Sequence, residues 1–458
     1  KSALSSDRNL GNLSFRYSTD VISRVVLSEI EKHEFAQYRA IHMVGVGGVS
    51  MKGLKHVLER MGKNVYGSDV KTGGHSAKNI TSGIDLVIYS SAITKESKGY
   101  VEIKEALKRK IPIMKRSEVI GLLMRDKNGV SIPGMHGKTS ISLLTSRMFE
   151  LDGRDPTYLV GAPNTDQNHS YEYGRGGDFI AEACEYDDSF LDFSTNVAVI
   201  SNIDEEHLDY FKGGINEIKK HFIKFCKKII PGGILVYCGD DLDTVAVVRS
   251  MMTHLKSRNI LVVSYGFKKG VDYKISNYKI NNQIVSFSIK HRNANNRIVS
   301  AYPGKHFAQN ATAAFAVAVN SGVDPHVSMA AIANYSGAKR RMEFIARVDG
   351  VSFYDDYGHH PTEISATLGA YSQMFPKARK VLIYEPHQQS RFNSLFVDFY
   401  KSFKESNFDL VGILPVFRVA GRDSKTGKTS KALVVKLSNS SKYTALNNYE
   451  DADWQSAF

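Results

Sequence analysis

A glycine-rich turn between a strand and a helix constrains this chain more than any other feature of its sequence. The stretch from Gly129 to Ile132 predicts a strand, and residues 133–140 continue as PGMHGKTS at the start of a predicted helix. Backbone N–H groups of such a turn, aimed from a helix N-terminus, bind phosphate oxygens. Lys138 is then placed to contact β- and γ-phosphates, and the Thr139 hydroxyl to bind Mg²⁺. The turn therefore predicts an α/β domain that binds a nucleoside triphosphate.

This phosphate loop is shorter than the usual pattern G-x-x-x-x-G-K-[ST]. Position 132, where that pattern needs its first glycine, is Ile, so the segment from Gly134 to Thr139 follows G-x-x-G-K-T. An ordinary strand–helix turn with a lysine at the surface is the alternative interpretation.

A second glycine loop follows the strand predicted for Ala40–Val46. Its pattern is G-x-G-G from Gly45 to Gly48, a helix is predicted for Met51–Arg60, and Asp69 ends the next strand. A glycine turn after the first strand with an acid after the second is typical of dinucleotide folds. The pattern is not G-x-G-x-x-G, so it indicates a nicotinamide cofactor only weakly, and simple packing is the alternative. Two separate phosphate loops nevertheless suggest two different nucleotides.

Acidic and imidazole side chains follow two later predicted strands. The segments are Glu182–Asp187, with the sequence EACEYD, and Ser201–Asp209, with the sequence SNIDEEHLD. Carboxylates at the carboxyl ends of parallel strands, beside a phosphate loop, are placed to hold Mg²⁺. Solvated loop acids are the alternative, and the upstream phosphate loop makes metal binding the better hypothesis.

Two further polar segments lie in the last quarter of the chain. They are Asp355–Glu363, with the sequence DDYGHHPTE, and His387–Arg391, which follows the strand predicted for Lys380–Tyr384. Adjacent histidines before a proline are more often structural. Strand-end residues of a last domain could also bind a substrate that must meet the phosphates.

Composition excludes several other classes of protein. The 458 residues suffice for about three domains. The net charge of +13, from 60 basic and 47 acidic residues, is scattered and does not form the stripe or tail of a nucleic-acid binder. No apolar run is long enough to span a bilayer, and the three cysteines suit a reducing cytoplasm. The segment Lys1–Arg39 is too polar for a signal peptide, and the missing initiator methionine suggests a trimmed N-terminus.

Taken in order, these segments resemble the Mur ligase family, from about Ala40 to about Asp423. Each motif is moderately specific, and their common order is very specific. The resemblance implies an α/β protein with three domains: a Rossmann-like UDP-sugar-binding domain at 1–127, a central P-loop ATPase-like domain with a parallel or mixed sheet at 128–343, and a Rossmann-like, amino-acid-binding C-terminal domain at 344–458.

The resemblance also implies an activity. This activity is the ATP-dependent ligation of L-alanine to the carboxylate of UDP-N-acetylmuramate through an acyl phosphate, a step of peptidoglycan precursor synthesis. ATP and Mg²⁺ are the implied cofactors, and UDP-N-acetylmuramate and L-alanine are the implied partners. A cytoplasmic monomer or weak dimer, without nucleic-acid or membrane partners, is expected.

The implied site residues are carried over position by position. Those for catalysis are Lys138, His207, Asp356 and His359. Those for ATP are Gly134, His136, Gly137, Lys138, Thr139, Ser140, Asn310 and Arg341. Those for the two other substrates are Gly45, Gly47, Gly48, Ser68, Asp69, His75, Ser91, His359, His387 and Arg391. Those for Mg²⁺ are Thr139, Glu182 and His207.

The sequence departs from the family pattern at four points. Cys184 replaces Asp in the segment E-A-D-E, Phe307 replaces Asn in H-N-x-x-N, and Gln388 replaces Arg in P-H-R-x-S-R. Because a neutral amide and a guanidinium are not equivalent at a carboxylate, Gln388 makes L-alanine recognition less secure than the ligase class. The closing G-A-G-D strand is missing, which predicts a truncated or diverged C-terminus with an unpaired sheet edge.

Three alternative functions stay open. A ligase of the same family that reattaches a recycled tripeptide to the same nucleotide sugar would suit a wider pocket beside Gln388. A non-catalytic nucleotide-sugar-binding homologue would suit Phe307 and the short C-terminus, although the intact Lys138 and Glu182 argue against it. A nicotinamide oxidoreductase would explain the glycine loop from Gly45 to Gly48 and leave the phosphate loop at Gly134–Ser140 unexplained.

Overall fold

The computed structural model describes residues 32–71, 73–166, 168–281, 283–419, 423, 426–437 and 442–447. The expectations for the N-terminal residues 1–31 and for the closing residues 448–458 lie outside this part. Within it, the chain forms three α/β domains that follow one another in sequence.

The first domain is built on a four-stranded parallel sheet in the order β2-β1-β3-β4. Its strands are β1 Ala40–Val44, β2 Asn64–Ser68, β3 Leu86–Tyr89 and β4 Ile113–Lys115, and its helices are α1 Lys32–Gln37, α2 Val49–Arg60, α3 Tyr100–Lys108 and α4 Arg116–Met124. β1 ends two residues earlier than predicted, because Gly45 turns the chain with a φ of 82°, a backbone conformation that glycine adopts at little cost.

The central domain is built on a ten-stranded mixed sheet in the order β14-β13-β12-β11-β10-β9-β5-β8-β6-β7. Its strands are β5 Asn128–Ile132, β6 Thr157–Leu159, β7 Tyr171–Glu172, β8 Asp178–Glu182, β9 Thr195–Ile200, β10 Ile229–Cys238, β11 Leu261–Gly266, β12 Tyr273–Asn281, β13 Ile284–His291 and β14 Ala294–Ser300. Its helices are α5 Lys138–Leu151, α6 Gly214–Lys228, α7 Leu242–Ser257, α8 Lys305–Asn320 and α9 Pro325–Ala333. The seven neighbouring strands β12-β11-β10-β9-β5-β8-β6 are parallel. The outer strands β7, β13 and β14 pair antiparallel.

The third domain contains a hairpin and a small parallel sheet in the order β17-β18-β19. Its strands are β15 Glu343–Val348, β16 Val351–Asp355, β17 Val381–Tyr384, β18 Leu410–Ile413 and β19 Tyr443–Ala445, and its helices are α10 Pro361–Met374, α11 Gln389–Ser394, α12 Phe396–Lys404 and α13 Ser430–Leu437. The strand predicted for Lys380–Tyr384 is therefore present as β17.

The hydrophobic cores determine how firmly the domains are joined. One core lies between the central sheet and the helices α5, α8 and α9 and includes Phe149 and Phe315. A second core runs from the other side of the central sheet into the first domain, and both Leu122 and Phe193 belong to it. The third domain has a core of its own around Phe399, and Ala370 of α10 also belongs to the core of the central domain, so the two domains share apolar as well as polar contacts.

The predicted fold class is confirmed: the protein is α/β, with a mixed central sheet between two smaller parallel sheets. The domain boundaries near residues 127 and 343 stay predictions. Among the described helices, none is long and apolar enough to cross a membrane.

Two helical glycines allow the packing between the first and central domains to be tested. A Cβ atom on Gly121 in α4 would lie 2.0 Å from the carbonyl oxygen of Asp192, whereas a Cβ atom on Gly369 in α10 would meet no atom within 4 Å. We expect Gly121→Ala to lower the free energy of unfolding by about 1–3 kcal/mol through overpacking. Gly369→Ala should be neutral or stabilising by up to about 1 kcal/mol, because alanine is the better helix former. Urea unfolding of both variants measures this difference, and equal effects would contradict the packing described here.

Candidate active site

A cavity of about 490 Å³ lies where the central domain meets the third domain, within the size range of small-molecule sites. The phosphate loop lines one side of it through His136, Gly137 and Thr139, and Arg341 and Asp356 line the side of the third domain. The predicted ATP residues Ser140 and Asn310 also line it. The structure therefore brings to one cavity the predicted ATP residues of the phosphate loop, Asn310 of α8 and Arg341.

The phosphate loop has the backbone that its glycines predict. Gly137 has a φ of 85°, and a Cβ atom at this position would lie 2.4 Å from the Asn310 side-chain oxygen. Gly134 also has a positive φ, and a Cβ atom there would lie 2.0 Å from the Ser201 hydroxyl. Only glycine fits these positions, so the loop passes close to α8 and to the end of β9.

Lys138, at the start of α5, is held beside the loop. Its ammonium group donates hydrogen bonds to the Met135 carbonyl at 3.2 Å and to the Glu185 carboxylate at 3.1 Å. Glu185 is fully buried and also accepts the Gly134 N–H at 2.6 Å. Although burial alone would lower the pKa of Lys138, the Glu185 carboxylate raises it above its ordinary value. Lys138 is therefore a charged group that Glu185 holds beside the phosphate loop.

Thr139 and Glu182 form an oxygen-rich pair next to the loop. The Thr139 hydroxyl donates to Glu182 at 3.1 Å, and the Gly161 N–H donates to the same carboxylate at 2.7 Å. A hydroxyl and a carboxylate are ligands that Mg²⁺ accepts, with waters and phosphate oxygens completing its shell. These two of the three predicted Mg²⁺ ligands fit that ion. The third, His207, lies in a group with Cys184 and Glu185.

His136 connects the phosphate loop to the third domain. Its Nε2 lies 3.1 Å from Asp204 and its Nδ1 lies 3.5 Å from Glu363. Burial alone would lower its pKa, but the two carboxylates raise the pKa of His136 to about 9. Asp204 also accepts the Thr362 hydroxyl at 2.7 Å. The imidazolium thus bridges a central-domain acid and a third-domain acid.

Arg341 and Asp356 lie on the opposite wall of the cavity. Arg341 donates to Glu363 at 3.1 Å, and Asp356 accepts the backbone N–H groups of Met342 and Gly358, both at 2.8 Å. Burial raises the pKa of the Asp356 carboxyl. The predicted site residues at this junction therefore lie close to the phosphate loop, in the same charged network as His136.

His359, predicted as a catalytic residue, joins this network through Glu363. Its Nε2 is 3.9 Å from Glu206 and its Nδ1 is 3.6 Å from Glu363. Burial lowers the pKa of His359 to about 4, so its imidazole is neutral at pH 7. A neutral imidazole can accept a proton, but one with so low a pKa is a weak base.

Among the residues predicted to bind the amino acid, Arg391 contacts the central domain. Arg391 donates to the buried carboxylate of Glu206 at 2.6 and 2.9 Å. The His387 ring stacks on Phe417 with centroids 5.2 Å apart. Gln388, which replaces the family's Arg, is buried and donates to the Ser390 hydroxyl at 2.9 Å. Arg391 is thus the guanidinium that reaches the central domain here.

In the first domain, the predicted UDP-sugar residues gather at the carboxyl ends of β1, β2 and β3. The Gly47 N–H donates to Asp69 at 3.1 Å, so the acid fixes the glycine loop between Gly45 and Gly48. Ser91 follows β3 at the same sheet edge. These residues share one edge of the sheet, as predicted.

Sequence reasoning missed the buried acid behind this edge, Glu102 in α3. It accepts the Ser68 hydroxyl at 2.6 Å, and its carboxylate lies 2.9 Å from His42 and 3.4 Å from His75. Burial alone would raise the pKa of Glu102, but hydrogen bonds from neighbouring side chains lower it to about 2. Two predicted UDP-sugar residues, Ser68 and His75, are therefore oriented by a carboxylate that the helix pattern did not single out.

Other acids of the site were also absent from the predicted site residues. Glu185, Asp204, Glu206 and Glu363 belong to the polar segments recognised in the sequence, and each one pairs with a predicted cationic or imidazole residue. Their position next to the phosphate loop and the histidines was the available signal.

The replaced residue Phe307 belongs to an aromatic cluster beside the cavity. Its ring is 1% exposed and lies 5.6 Å from Tyr335 and 4.9 Å from Tyr302, measured between centroids. Phe307 lines the cavity, so an apolar ring occupies the place of the family's amide.

Comparisons with known proteins identify the family. The family descriptions "Mur ligase family, catalytic domain", "Mur ligase middle domain" and "Mur ligase, glutamate ligase domain" match residues 40–128, 132–318 and 340–454. The UDP-N-acetylmuramate–L-alanine ligase of Caldanaerobacter subterraneus is 35% identical over 88% of this chain and 88% of its own. The chain belongs to the Mur ligase family. A second relative of the same name, from Geobacter sp. strain M21, is 34% identical over 87% of both chains.

Solved structures of the Mur ligase family have the same fold. The UDP-N-acetylmuramate–alanine ligase of Thermotoga maritima superposes with a TM-score of 0.69, covering 91% of this chain and 97% of its own at 22% identity. A murein peptide ligase of Psychrobacter arcticus gives a TM-score of 0.64, covering 90% and 91% at 19% identity. The predicted family and ligase class are therefore confirmed.

The bridge formed by His136 makes stability depend on pH. The pKa of His136 is about 9 in the folded protein, against about 6.5 for an unfolded histidine. The bridge therefore contributes fully below about pH 6.5, and its contribution is lost as the pH rises through about 9. Between pH 6.5 and 9.5 we expect the wild type to lose about 1–3 kcal/mol more stability than His136→Gln. Urea unfolding at both pH values measures this, and parallel losses in the two proteins would contradict the bridge.

Proposed function

We propose that this protein joins L-alanine to the carboxylate of UDP-N-acetylmuramate at the expense of ATP, as a step of peptidoglycan precursor synthesis. The observation that carries the proposal is the likeness, over most of the chain, to relatives named for that reaction. The cavity where the phosphate loop meets the third domain supports it.

In the first step, an oxygen of the muramate carboxylate attacks the γ-phosphorus of ATP, and ADP leaves. The products are an acyl phosphate and ADP. Lys138, charged and at the start of α5, is placed to neutralise the transferring phosphoryl group. Positioning and charge neutralisation are the main contributions that a protein makes to such a transfer.

In the second step, the amine of L-alanine attacks the acyl carbon, the C–O bond to phosphate breaks, and phosphate leaves. The ammonium form must first lose a proton. His359 is neutral and lies near Glu206 and Glu363. We assign it as the group that accepts this proton; its low pKa makes it a weak base that passes the proton on readily. Closure of the third domain over the cavity would keep water from the acyl phosphate.

Thr139 and Glu182 are the residues that we propose for Mg²⁺, with His207 nearby as the third. The hydroxyl lies 3.1 Å from the carboxylate, and Thr139 lines the cavity. When bound, Mg²⁺ would neutralise charge on the β- and γ-phosphates.

We assign the nucleotide sugar to the first domain and the amino acid to the third. Ser68, Asp69 and His75 lie at the sheet edge beside the glycine loop of Gly45–Gly48. Arg391 lies at the junction, and His387 stacks on Phe417 within the third domain. Because Gln388 turns its amide to Ser390, Arg391 is the candidate for the carboxylate of L-alanine.

We also assign the reaction to the cytoplasm. The three cysteines form no disulfide, which suits a reducing compartment. A monomeric or weakly dimeric state stays a prediction from the sequence.

The test is phosphate release from ATP with Mg²⁺ and UDP-N-acetylmuramate, comparing L-alanine with glycine, L-serine and the recycled tripeptide. Release should require the nucleotide sugar and be fastest with L-alanine. We expect Lys138→Ala to lower the rate by at least about 100-fold, whereas Lys256→Ala, an exposed lysine near the end of α7, should match the wild type. Preference for the tripeptide would assign the protein to the recycling reaction. If none of the amines tested gave phosphate release, the proposal would be overturned.

A second prediction concerns Arg391. In Arg391→Lys the charge remains, but the planar fork that pairs with carboxylates is lost. We expect kcat/KM for L-alanine to fall about tenfold or more, with little change in the KM for ATP. Arg379→Lys, at an exposed arginine of the same domain, is the matched control. Unchanged kinetics in Arg391→Lys would exclude Arg391 from amino-acid binding.

A further inference from the structure

One buried carboxylate connects the parts of the first domain that lie beside its glycine loop. Glu102 of α3 is fully buried. Its Oε2 atom accepts the Ser68 hydroxyl at 2.6 Å and lies 2.9 Å from Nε2 of His42. Its Oε1 atom accepts the backbone N–H of Ser76 at 3.0 Å and the side-chain amide of Asn79 at 2.8 Å. Each oxygen of this carboxylate therefore holds at least one residue between positions 68 and 79.

The first two residues of this segment hold the glycine loop of Gly45–Gly48. The Ser68 carbonyl accepts the backbone N–H groups of Gly45 at 2.8 Å and of Val46 at 3.0 Å. The Asp69 carboxylate accepts the N–H of Gly47 at 3.1 Å. The glycine loop is thus fixed to Ser68 and Asp69, and the Ser68 side chain is fixed to Glu102 of α3.

We propose that Glu102 is a positioning residue for the nucleotide sugar. It acts on the glycine loop through Ser68, and it holds the far end of the segment through Ser76 and Asn79. This inference rests on the proposed assignment of the nucleotide sugar to the first domain. Because ATP is assigned to the cavity beside the phosphate loop, a change at Glu102 should weaken binding of the nucleotide sugar and leave that of ATP unchanged.

The charge of Glu102 sets the direction of these hydrogen bonds. With a pKa of about 2 the carboxyl group is ionised at neutral pH, and an ionised carboxylate can only accept hydrogen bonds. The Ser68 hydroxyl therefore donates to Glu102 and accepts from His75, whose Nδ1 lies 3.0 Å from the Ser68 hydroxyl and 3.4 Å from the Glu102 carboxylate. In the neutral ring the proton is then on Nδ1, and Nε2 keeps its lone pair. Glu102 thus fixes the tautomer of His75.

Stability alone is a poor reason to bury this charge. Replacement of a buried ionic group by a well-packed apolar residue is often neutral or stabilising. The donors around Glu102 instead lie in a segment with little regular structure: among its described residues after β2, only Ala77–Asn79 form a helical turn. Backbone ladders cannot order such a segment, so the carboxylate provides the anchor.

The test is a calorimetric titration of the full-length protein with UDP alone, without ATP or an amino acid. Glu102→Ala removes every bond of the anchor, and we expect it to bind UDP about tenfold more weakly or worse. Glu102→Gln keeps the volume and can still accept from Ser76, so we expect a loss of about threefold, because neutral hydrogen bonds are weaker. Glu105→Gln is the matched control: Glu105 lies on the same helix and pairs with Arg109 at 2.6 Å, and this variant should bind UDP like the wild type.

Steady-state kinetics separate positioning from a general loss of structure. In Glu102→Ala we expect the KM for UDP-N-acetylmuramate to rise about tenfold or more, while the KM for ATP stays at the wild-type value. Thermal unfolding checks that each variant is folded.

The tautomer of His75 provides a readout that needs no substrate. In ¹⁵N NMR spectra of the histidine-labelled protein, the His75 signals are identified by their loss in His75→Gln. The wild-type ring should carry its proton on Nδ1. In Glu102→Gln the amide oxygen should stay at Ser76, whose N–H can only donate, so the amide nitrogen faces Ser68. The Ser68 hydroxyl would then accept from Gln and donate to Nδ1, and the proton of His75 should move to Nε2.

Several results would overturn the positioning role. One is equal affinity for UDP in the wild type and Glu102→Ala, and another is a KM for ATP that rises as much as the KM for UDP-N-acetylmuramate. If Glu102→Ala does not fold, Glu102→Gln decides: wild-type affinity for UDP together with a proton still on Nδ1 of His75 would contradict the proposal. A wild type that does not bind UDP would instead overturn the assignment of the nucleotide sugar to the first domain, and this inference with it.

Discussion

The bridge from His136 to Asp204 and Glu363 is the interaction on which the geometry of the cavity depends. His136 belongs to the phosphate loop, and its backbone N–H also donates to Asn202 at 2.9 Å. One side of the loop is thus attached to the central sheet, while its imidazolium reaches an acid of the third domain. The core of the central domain also reaches the third domain through Ala370, and these charged contacts add to that packing beside the loop.

Paired charges fill the junction. Lys138 pairs with Glu185, Arg391 with Glu206, and Arg341 with Glu363. Burying such pairs is costly unless each charge is neutralised and hydrogen-bonded, and here each acid accepts a bond from its cation. On the proposed function, anionic substrates would take over some of these cations. The phosphates of ATP would compete with Glu185 for Lys138, and the carboxylate of L-alanine with Glu206 for Arg391.

The sequence predicts the parts of this protein that depend on local backbone rules. The G-x-x-G-K-T turn predicts the phosphate loop, because Gly137 must have a positive φ beside Asn310. The strand and helix order predicts the α/β class. Pairing over long sequence separations is different: Glu102, Glu206 and Glu363 each meet a partner far away in the sequence, so no local pattern identifies them. The position of His207 next to Cys184 and Glu185 likewise depends on how two strand ends meet.

The most direct test of the ligase account is the fate of oxygen during the reaction. UDP-N-acetylmuramate labelled with ¹⁸O in its carboxylate is incubated with ATP, Mg²⁺ and L-alanine, and the released phosphate is analysed by mass spectrometry. The account predicts one ¹⁸O atom in each phosphate released, because a carboxylate oxygen attacks the γ-phosphorus and leaves with it. Phosphate without ¹⁸O, formed at the same rate as the amide product, would contradict an acyl phosphate at this site.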